Sequence, residues 1–178
     1  MIKTKTVLVL GAGASAPYGF PVGDGLRSMI LEMDDPEYGP GKKLAACGFE
    51  DMVKAFAKSF AESDCPTIDD FLEKRPEFES IGKHAIAQVL LKYENPLELF
   101  RDHNKPRWYH LLRGAMEPLE QIAENELSIV TFNYDRSLDH YLYTVLKQTL
   151  KWNDDKCRTA LDAIPIIHIY GSLGRLPW

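Results

Sequence analysis

Residues 7–26 read VLVLGAGASAPYGFPVGDGL, and this stretch decides the fold class. Four apolar residues run directly into a glycine-rich turn. The run predicts a short, fully apolar strand over Thr6–Leu10, of the kind that is buried on both faces of a parallel sheet. We expect a helix to follow the turn, with Gly19, Phe20 and Pro21 ending it. The stretch therefore predicts the strand–turn–helix start of an α/β domain.

The remaining chain continues the alternation of helices and strands. Residues 42–125 are mostly helical in pattern, and another helix is predicted over 24–33. Strand character returns at 127–132 and at 164–170, with an amphipathic helix over 138–150 between these strands. Each strand ends in a polar or glycine turn. This order predicts one α/β domain with a parallel sheet and a helical insertion at about 42–125.

Composition limits the class of protein. The chain has 178 residues, 45% of them hydrophobic and 26% charged, which suits one globular domain. A net charge of −5 and the lack of a Lys/Arg run argue against nucleic-acid binding. The longest apolar stretch is far shorter than the roughly 20 residues of a spanning helix, so we expect a cytoplasmic protein without membrane contact. Cys47, Cys65 and Cys157 form no CxxC pair, which indicates neither a zinc site nor a disulfide framework.

Residues 11–16, GAGASA, fit the G-x-G-x-x-A form of the dinucleotide fingerprint. Gly11 permits the tight turn, and Gly13 lets the backbone approach a diphosphate. Ala16 allows close packing of helix on strand, and Ser15 adds a hydroxyl donor. A dehydrogenase would also place an acid after a second strand about 20 residues on, and that strand is missing here. The alternative to a cofactor site is a tight turn that binds no ligand.

Residues 131–135, TFNYD, end the second predicted strand. Thr131, Asn133 and Asp135 are spaced by two, so an extended chain turns them to one face. An amide and a carboxylate there can orient a water, or hold sugar hydroxyls and a carboxamide. The alternative is that Asp135 caps the helix that begins at Arg136.

His168 lies near the end of the third predicted strand. Its neutral imidazole is a candidate general base on a ribose hydroxyl, and the alternative is a core histidine bonded to a backbone group. The other four histidines show no metal-ligand spacing, so no metal site is predicted. GAGAS, TFNYD and HIYGS all follow strands, and ligands of parallel sheets sit beyond the carboxyl ends of strands. We therefore expect these three segments to form one site.

Together these segments resemble the sirtuin (silent information regulator) family, and specifically its bacterial NAD-consuming branch associated with antiphage defence. That family carries GAGxS, G-x-P, T-x-N-x-D and a histidine beside HG in this order. The corresponding stretches here are residues 11–15, 19–21, 131–135 and 168–172. The sequence IDDF at 68–71 also resembles an acidic segment of the defence branch.

The resemblance implies a Rossmann-like fold and an NAD+ glycohydrolase that consumes NAD+ as substrate and releases nicotinamide and ADP-ribose. The implied cofactor contacts are Gly11, Ala12, Gly13, Ser15, Pro21, Thr131, Gly171 and Ser172, and the implied catalytic residues are Asn133, Asp135 and His168. Asn133 would orient the attacking water, Asp135 would help to fix the cofactor, and His168 would be the base. By analogy, residues 1–178 are a domain of a longer protein. The pattern also predicts a sheet truncated at the C-terminal end, because the last predicted strand lies just before Pro177 and Trp178 and leaves apolar residues to be covered. The same analogy implies a homo-oligomer controlled by a sensor domain or an activating partner.

Two departures from the family pattern bear on the reaction. The four zinc-binding cysteines of deacylating sirtuins are missing, and Asp24 stands where their G-x-P segment continues into arginine, which argues against protein deacylation. Tyr170 occupies the family's histidine position directly before the glycine. His168 stands two residues earlier, on the same face of an extended strand. A non-catalytic NAD+ or ADP-ribose-binding sensor is therefore the alternative function.

Overall fold

The computed structural model describes residues 1–101 and 107–178. In these ranges the chain is a mixed α/β structure with a three-stranded parallel sheet in the order β1-β2-β3. The strands are β1 (Thr6–Leu10), β2 (Leu127–Thr131) and β3 (Ile166–His168). The register aligns the carboxyl ends of all three strands, since Thr131 lies opposite both Leu10 and His168.

Helices make up most of the remaining described chain. The α-helices are α1 (Gly23–Leu31), α2 (Gly39–Leu44), α3 (Val53–Glu62), α4 (Ile68–Lys74), α5 (Glu79–Leu90), α6 (Pro96–Phe100), α7 (Trp108–Ala115), α8 (Ser137–Leu150) and α9 (Asp154–Asp162). The helices predicted at 24–33 and 138–150 are confirmed as α1 and α8. Among the helices of the two described ranges, none combines the length and the apolarity needed to cross a membrane.

The chain divides into two compact units. One unit holds the sheet and consists of Met1–Phe20 with Glu94–Trp178, and the other is the helical unit Pro21–Tyr93. The helical segment expected at about 42–125 is therefore divided, because residues from Glu94 onward belong with the sheet. Pro21, a predicted cofactor contact, is the first residue of the helical unit.

The helical unit has an aromatic core. Four phenylalanine rings contact one another with centroids 4.9–6.4 Å apart: Phe56, Phe60, Phe71 and Phe78. Thr67 begins α4 with a side-chain cap, accepting a hydrogen bond from the Asp70 N–H at 3.2 Å. The spacing of these two residues in the sequence is a local signal for a helix start.

The sheet is covered on one face only in the described chain. Ile129 in the central strand is fully buried, whereas Val7 and Val9 in β1 are 61% and 66% exposed and Ile167 in β3 is 50% exposed. The expectation that the first strand is buried on both faces is therefore wrong. A chain that adds parallel strands in one direction by right-handed crossovers covers the same face each time, so the opposite face stays open.

The segment after β1 also differs from the sequence expectation. Two 3₁₀ turns, Ala12–Ala14 and Ala16–Tyr18, stand where a helix was predicted. Gly19 has a φ of +92° and stops the second turn before an i→i−4 ladder can form. Ala16 is exposed, so its small side chain does not serve helix–strand packing. The third strand is likewise shorter than the predicted 164–170.

Ile129→Ala is expected to lower the free energy of unfolding by about 2–5 kcal/mol, because it empties a fully buried position. Val9→Ala on the neighbouring strand is expected to cost less than about 1 kcal/mol, since its side chain lies on the open face. Chemical denaturation measures both values. Similar losses in the two variants would contradict a one-sided sheet.

Candidate functional site

The segments singled out from the sequence meet at the carboxyl ends of the three strands. Ser15 Oγ donates to Asp135 Oδ2 at 2.6 Å. The side-chain amide of Asn133 donates to the Gly11 carbonyl at 3.0 Å and to Ser15 Oγ at 2.8 Å. His168 joins the group through its Nδ1, which lies 2.8 Å from the Asn133 carbonyl oxygen. All of these residues belong to the unit that holds the sheet.

Asp135 is the centre of this hydrogen-bond network. It is buried, and its Oδ1 accepts hydrogen bonds from the backbone N–H and the hydroxyl of Ser137, the first residue of α8. The hydroxyls of Tyr109 in α7 and Ser137 lie 2.7 Å apart. Burial, reinforced by Asp135, raises the pKa of Tyr109, so the phenol stays neutral. Asp135 thus bonds both the first turn of α8 and the glycine-rich segment. It caps the helix and also contributes to the polar site, the two roles that the sequence left as alternatives.

His168 is almost buried, with 10% of its side chain exposed. Its Nε2 faces Asp139 Oδ2 at 3.5 Å. Burial alone lowers the pKa of His168, but Asp139 and the Asn133 carbonyl outweigh it and raise the pKa above the ordinary value. Both ring nitrogens therefore face protein oxygens, and neither is directed into an open cleft.

Asp139 and Arg136 complete this side of the site. Arg136 Nε and Nη2 donate to Asp139 Oδ1 at 3.0 and 2.7 Å. Burial raises the pKa of Asp139, but hydrogen bonds from His168 and Arg136 outweigh it and hold the pKa below its usual value. The sequence reading missed both residues. Their signal is the spacing of Arg136 and Asp139 by three residues at the start of a predicted helix, which lets an arginine and an aspartate pair.

The exposed part of the site is the glycine-rich segment. Gly11 has a φ of −116°, which other residues adopt readily. A Cβ built at Gly11 or Gly13 meets no atom within 4 Å apart from chain neighbours. The fold itself therefore does not require glycine at either position, whereas Gly171 has a φ of +88° that favours glycine on conformational grounds alone. Ala12 and Ser172 are also exposed.

Two cavities adjoin the network. The smaller has a volume of about 10 Å³, and its lining includes Ser15, Thr131, Asn133, Asp135 and His168. This space holds at most one water molecule. The larger, of about 220 Å³, is bordered by apolar and aromatic side chains and also by polar and charged ones, namely Glu94, Asn95, Arg136, Ser137 and His140.

Among the described side chains, no group of three or more His, Cys, Asp or Glu is arranged to hold a metal ion. Comparisons with protein-family models, curated proteins and solved structures find no match for this chain. The sirtuin-like resemblance therefore depends on the order and spacing of the segments in the sequence.

Asp135→Asn is expected to lower the free energy of unfolding by about 2–3 kcal/mol, because an amide replaces a buried acceptor of several hydrogen bonds. The control is Asp162→Asn, which changes an exposed carboxylate of the same unit and should alter stability by less than about 0.5 kcal/mol. Denaturant titration measures both. An Asp135 variant as stable as the control would show that the network does not support the fold.

Proposed function

We propose that this chain is an NAD+ glycohydrolase, which cleaves the bond between nicotinamide and ribose and transfers the sugar to water. The observation that carries the proposal is the exposed segment Gly11–Gly13, where the fold leaves open space around two glycines beside Asn133. Glycine in such a place allows a diphosphate to lie directly against the backbone. The three parallel strands would then be the core of a Rossmann-like domain.

The polar network gives Asn133 and Asp135 fixed orientations for this reaction. The side-chain amide nitrogen of Asn133 donates both of its hydrogens, to the Gly11 carbonyl and to Ser15 Oγ. The side-chain oxygen Oδ1 is therefore the acceptor that would orient the attacking water. Ser15 serves the site by holding both neighbours, since its buried hydroxyl bonds Asp135.

The charge near the site suits a cationic transition state. Cleavage of the glycosidic bond passes through an oxocarbenium-like sugar that carries positive charge. The buried Asp135 provides a preorganised negative charge at the carboxyl ends of the strands. The phenol of Tyr109 beside it is neutral, and the cationic Arg136 is paired with Asp139, so the charge of Asp135 would be available to the sugar.

The wider setting follows from the resemblance. We propose that the domain is an effector of bacterial antiphage defence in the cytoplasm, one part of a longer protein and a homo-oligomer. A sensor domain or an activating partner would control it, because uncontrolled loss of NAD+ is lethal to a cell.

A second candidate is a non-catalytic sensor that binds NAD+ or ADP-ribose. The enclosure of both His168 nitrogens favours it, since a base needs a free lone pair near the substrate. Tyr170, at the family's histidine position, is 50% exposed at the same edge of the sheet. A sensor would bind the dinucleotide without releasing nicotinamide.

Gly13→Ala is expected to weaken NAD+ binding about tenfold or more, because the added methyl occupies the space against the backbone. The free energy of unfolding of the Gly13→Ala variant should not fall, since a Cβ at this position has no atom within 4 Å apart from chain neighbours. Gly114→Ala in α7 is the matched control, also with open space around the Cβ, and should leave binding unchanged. Calorimetric titration with NAD+ measures affinity.

Asn133→Ala is expected to reduce nicotinamide release about 10²–10³-fold while NAD+ binding changes only a few-fold, since the lost amide acts on the attacking water. A quantitative assay of released nicotinamide tests this. Binding without release by the unmodified protein would support the sensor, and neither binding nor release would contradict both candidates.

A further inference from the structure

Asp139 in α8, His168 at the end of β3 and Arg136 just before α8 form a charge cluster in which Asp139 is buried and the other two are partly buried. Asp139 Oδ1 is taken by the Arg136 guanidinium, and Oδ2 faces His168 Nε2 at 3.5 Å. Asp139 Oδ2 and His168 Nε2 have no other hydrogen-bond partner in the part of the chain that the structure describes. Asp139 Oδ2 and His168 Nε2 therefore complement each other.

The acceptors around His168 determine its protonation. Nδ1 faces the carbonyl oxygen of Asn133, and Nε2 faces a carboxylate oxygen of Asp139. Both are acceptors, and a neutral imidazole has only one N–H to offer. A neutral ring would turn one lone pair toward an oxygen in a buried place, which costs the hydrogen bond and adds repulsion. The geometry is satisfied by the doubly protonated ring.

The other groups that face the ring agree with a cation. The charged groups that act on the ring are Asp139 in α8 and Arg136, the residue just before that helix. Asp135, in the turn before α8, and Tyr109 in α7 line the same small cavity as the ring. The strands contribute Leu10, Thr131 and Ile166, which carry no charge. The carboxylate that faces the ring is Asp139, and a protonated His168 complements it. Arg136 opposes the cation but is already paired with Asp139.

We propose that His168 is a protonated positioning residue, held by Asp139, that fixes the turn carrying Asn133 and Asp135. Loss of one proton leaves a single N–H for two acceptors, so either the Asn133 carbonyl or the Asp139 carboxylate loses its contact and the ring no longer ties that turn to α8. A regulatory effect of His168 on nicotinamide release rests on the proposed function. The protonation of the ring and its contact with the turn are independent of that function. His168 in this role does not accept a proton from the substrate.

The expected pH dependence is opposite to that of a general base. The pKa of His168 is raised in the folded protein, so its stabilisation is full below the ordinary value of about 6.5. It is lost as pH rises through the raised value. NAD+ affinity and nicotinamide release should therefore fall on the alkaline side of that transition. A base would instead gain activity as pH rises through its pKa.

The first experiment follows the imidazole C–H signal of His168 by NMR over a pH series on the full chain, assigned by its loss in His168→Gln. The unmodified protein should titrate above about pH 6.5, and Asp139→Asn should lower the midpoint by about 1–3 pH units. Asp162→Asn is the control and should leave it unchanged. A midpoint below 6.5 in the unmodified protein would overturn the proposal whether or not the Asp139 variant folds.

The second readout separates this inference from the proposed function. The backbone amide signals of Asn133 and Asp135 should shift with the same midpoint as the His168 ring, with no NAD+ present. Independence of these signals from the ring would refute the positioning role. If nicotinamide release occurs and rises through the His168 midpoint, His168 is a base and the proposal is wrong. If no release occurs but the NMR shifts appear, only the glycohydrolase function fails.

Discussion

The buried carboxylate of Asp135 is the constraint on which the site depends. A carboxylate that leaves water must be hydrogen-bonded, and Asp135 obtains its bonds from Ser15 after β1 and Ser137 at the start of α8. Those partners come from segments on either side of a long helical stretch. The need to satisfy one buried charge therefore fixes the ends of β1 and β2 relative to each other and sets where α8 begins.

This constraint divides the site into a fixed interior and an open surface. Ser15, Asn133 and Asp135 satisfy one another, so their side chains are oriented before any ligand arrives. Gly11 and Gly13 lie at the surface with space around their backbone. Under the proposed function, a substrate at this edge would meet polar groups that are already oriented, an arrangement that suits catalysis by preorganisation.

The open face of the sheet shows a limit of reading apolar runs. The apolar run in β1 predicts burial of its side chains. It contains no polar–apolar alternation that would mark one face of the strand as exposed to solvent. The topology decides instead: strands added in one direction receive their crossovers on one face, which leaves Val7 and Val9 exposed. The resulting apolar surface is a property of strand order rather than of composition.

The sequence by itself determined the features that depend on neighbours along the chain. It located all three strands, the helix α8 and the placement of GAGAS, TFNYD and HIYGS at strand ends, because apolar periodicity and turn chemistry act over a few residues. Tertiary structure decided which residues of these separate segments contact one another. The bond between Ser15 and Asp135 spans 120 residues, and the meeting of His168 with Asp139 depends on how α8 packs beside β3. No local pattern records those contacts, since burial and distance exist only once the chain is folded.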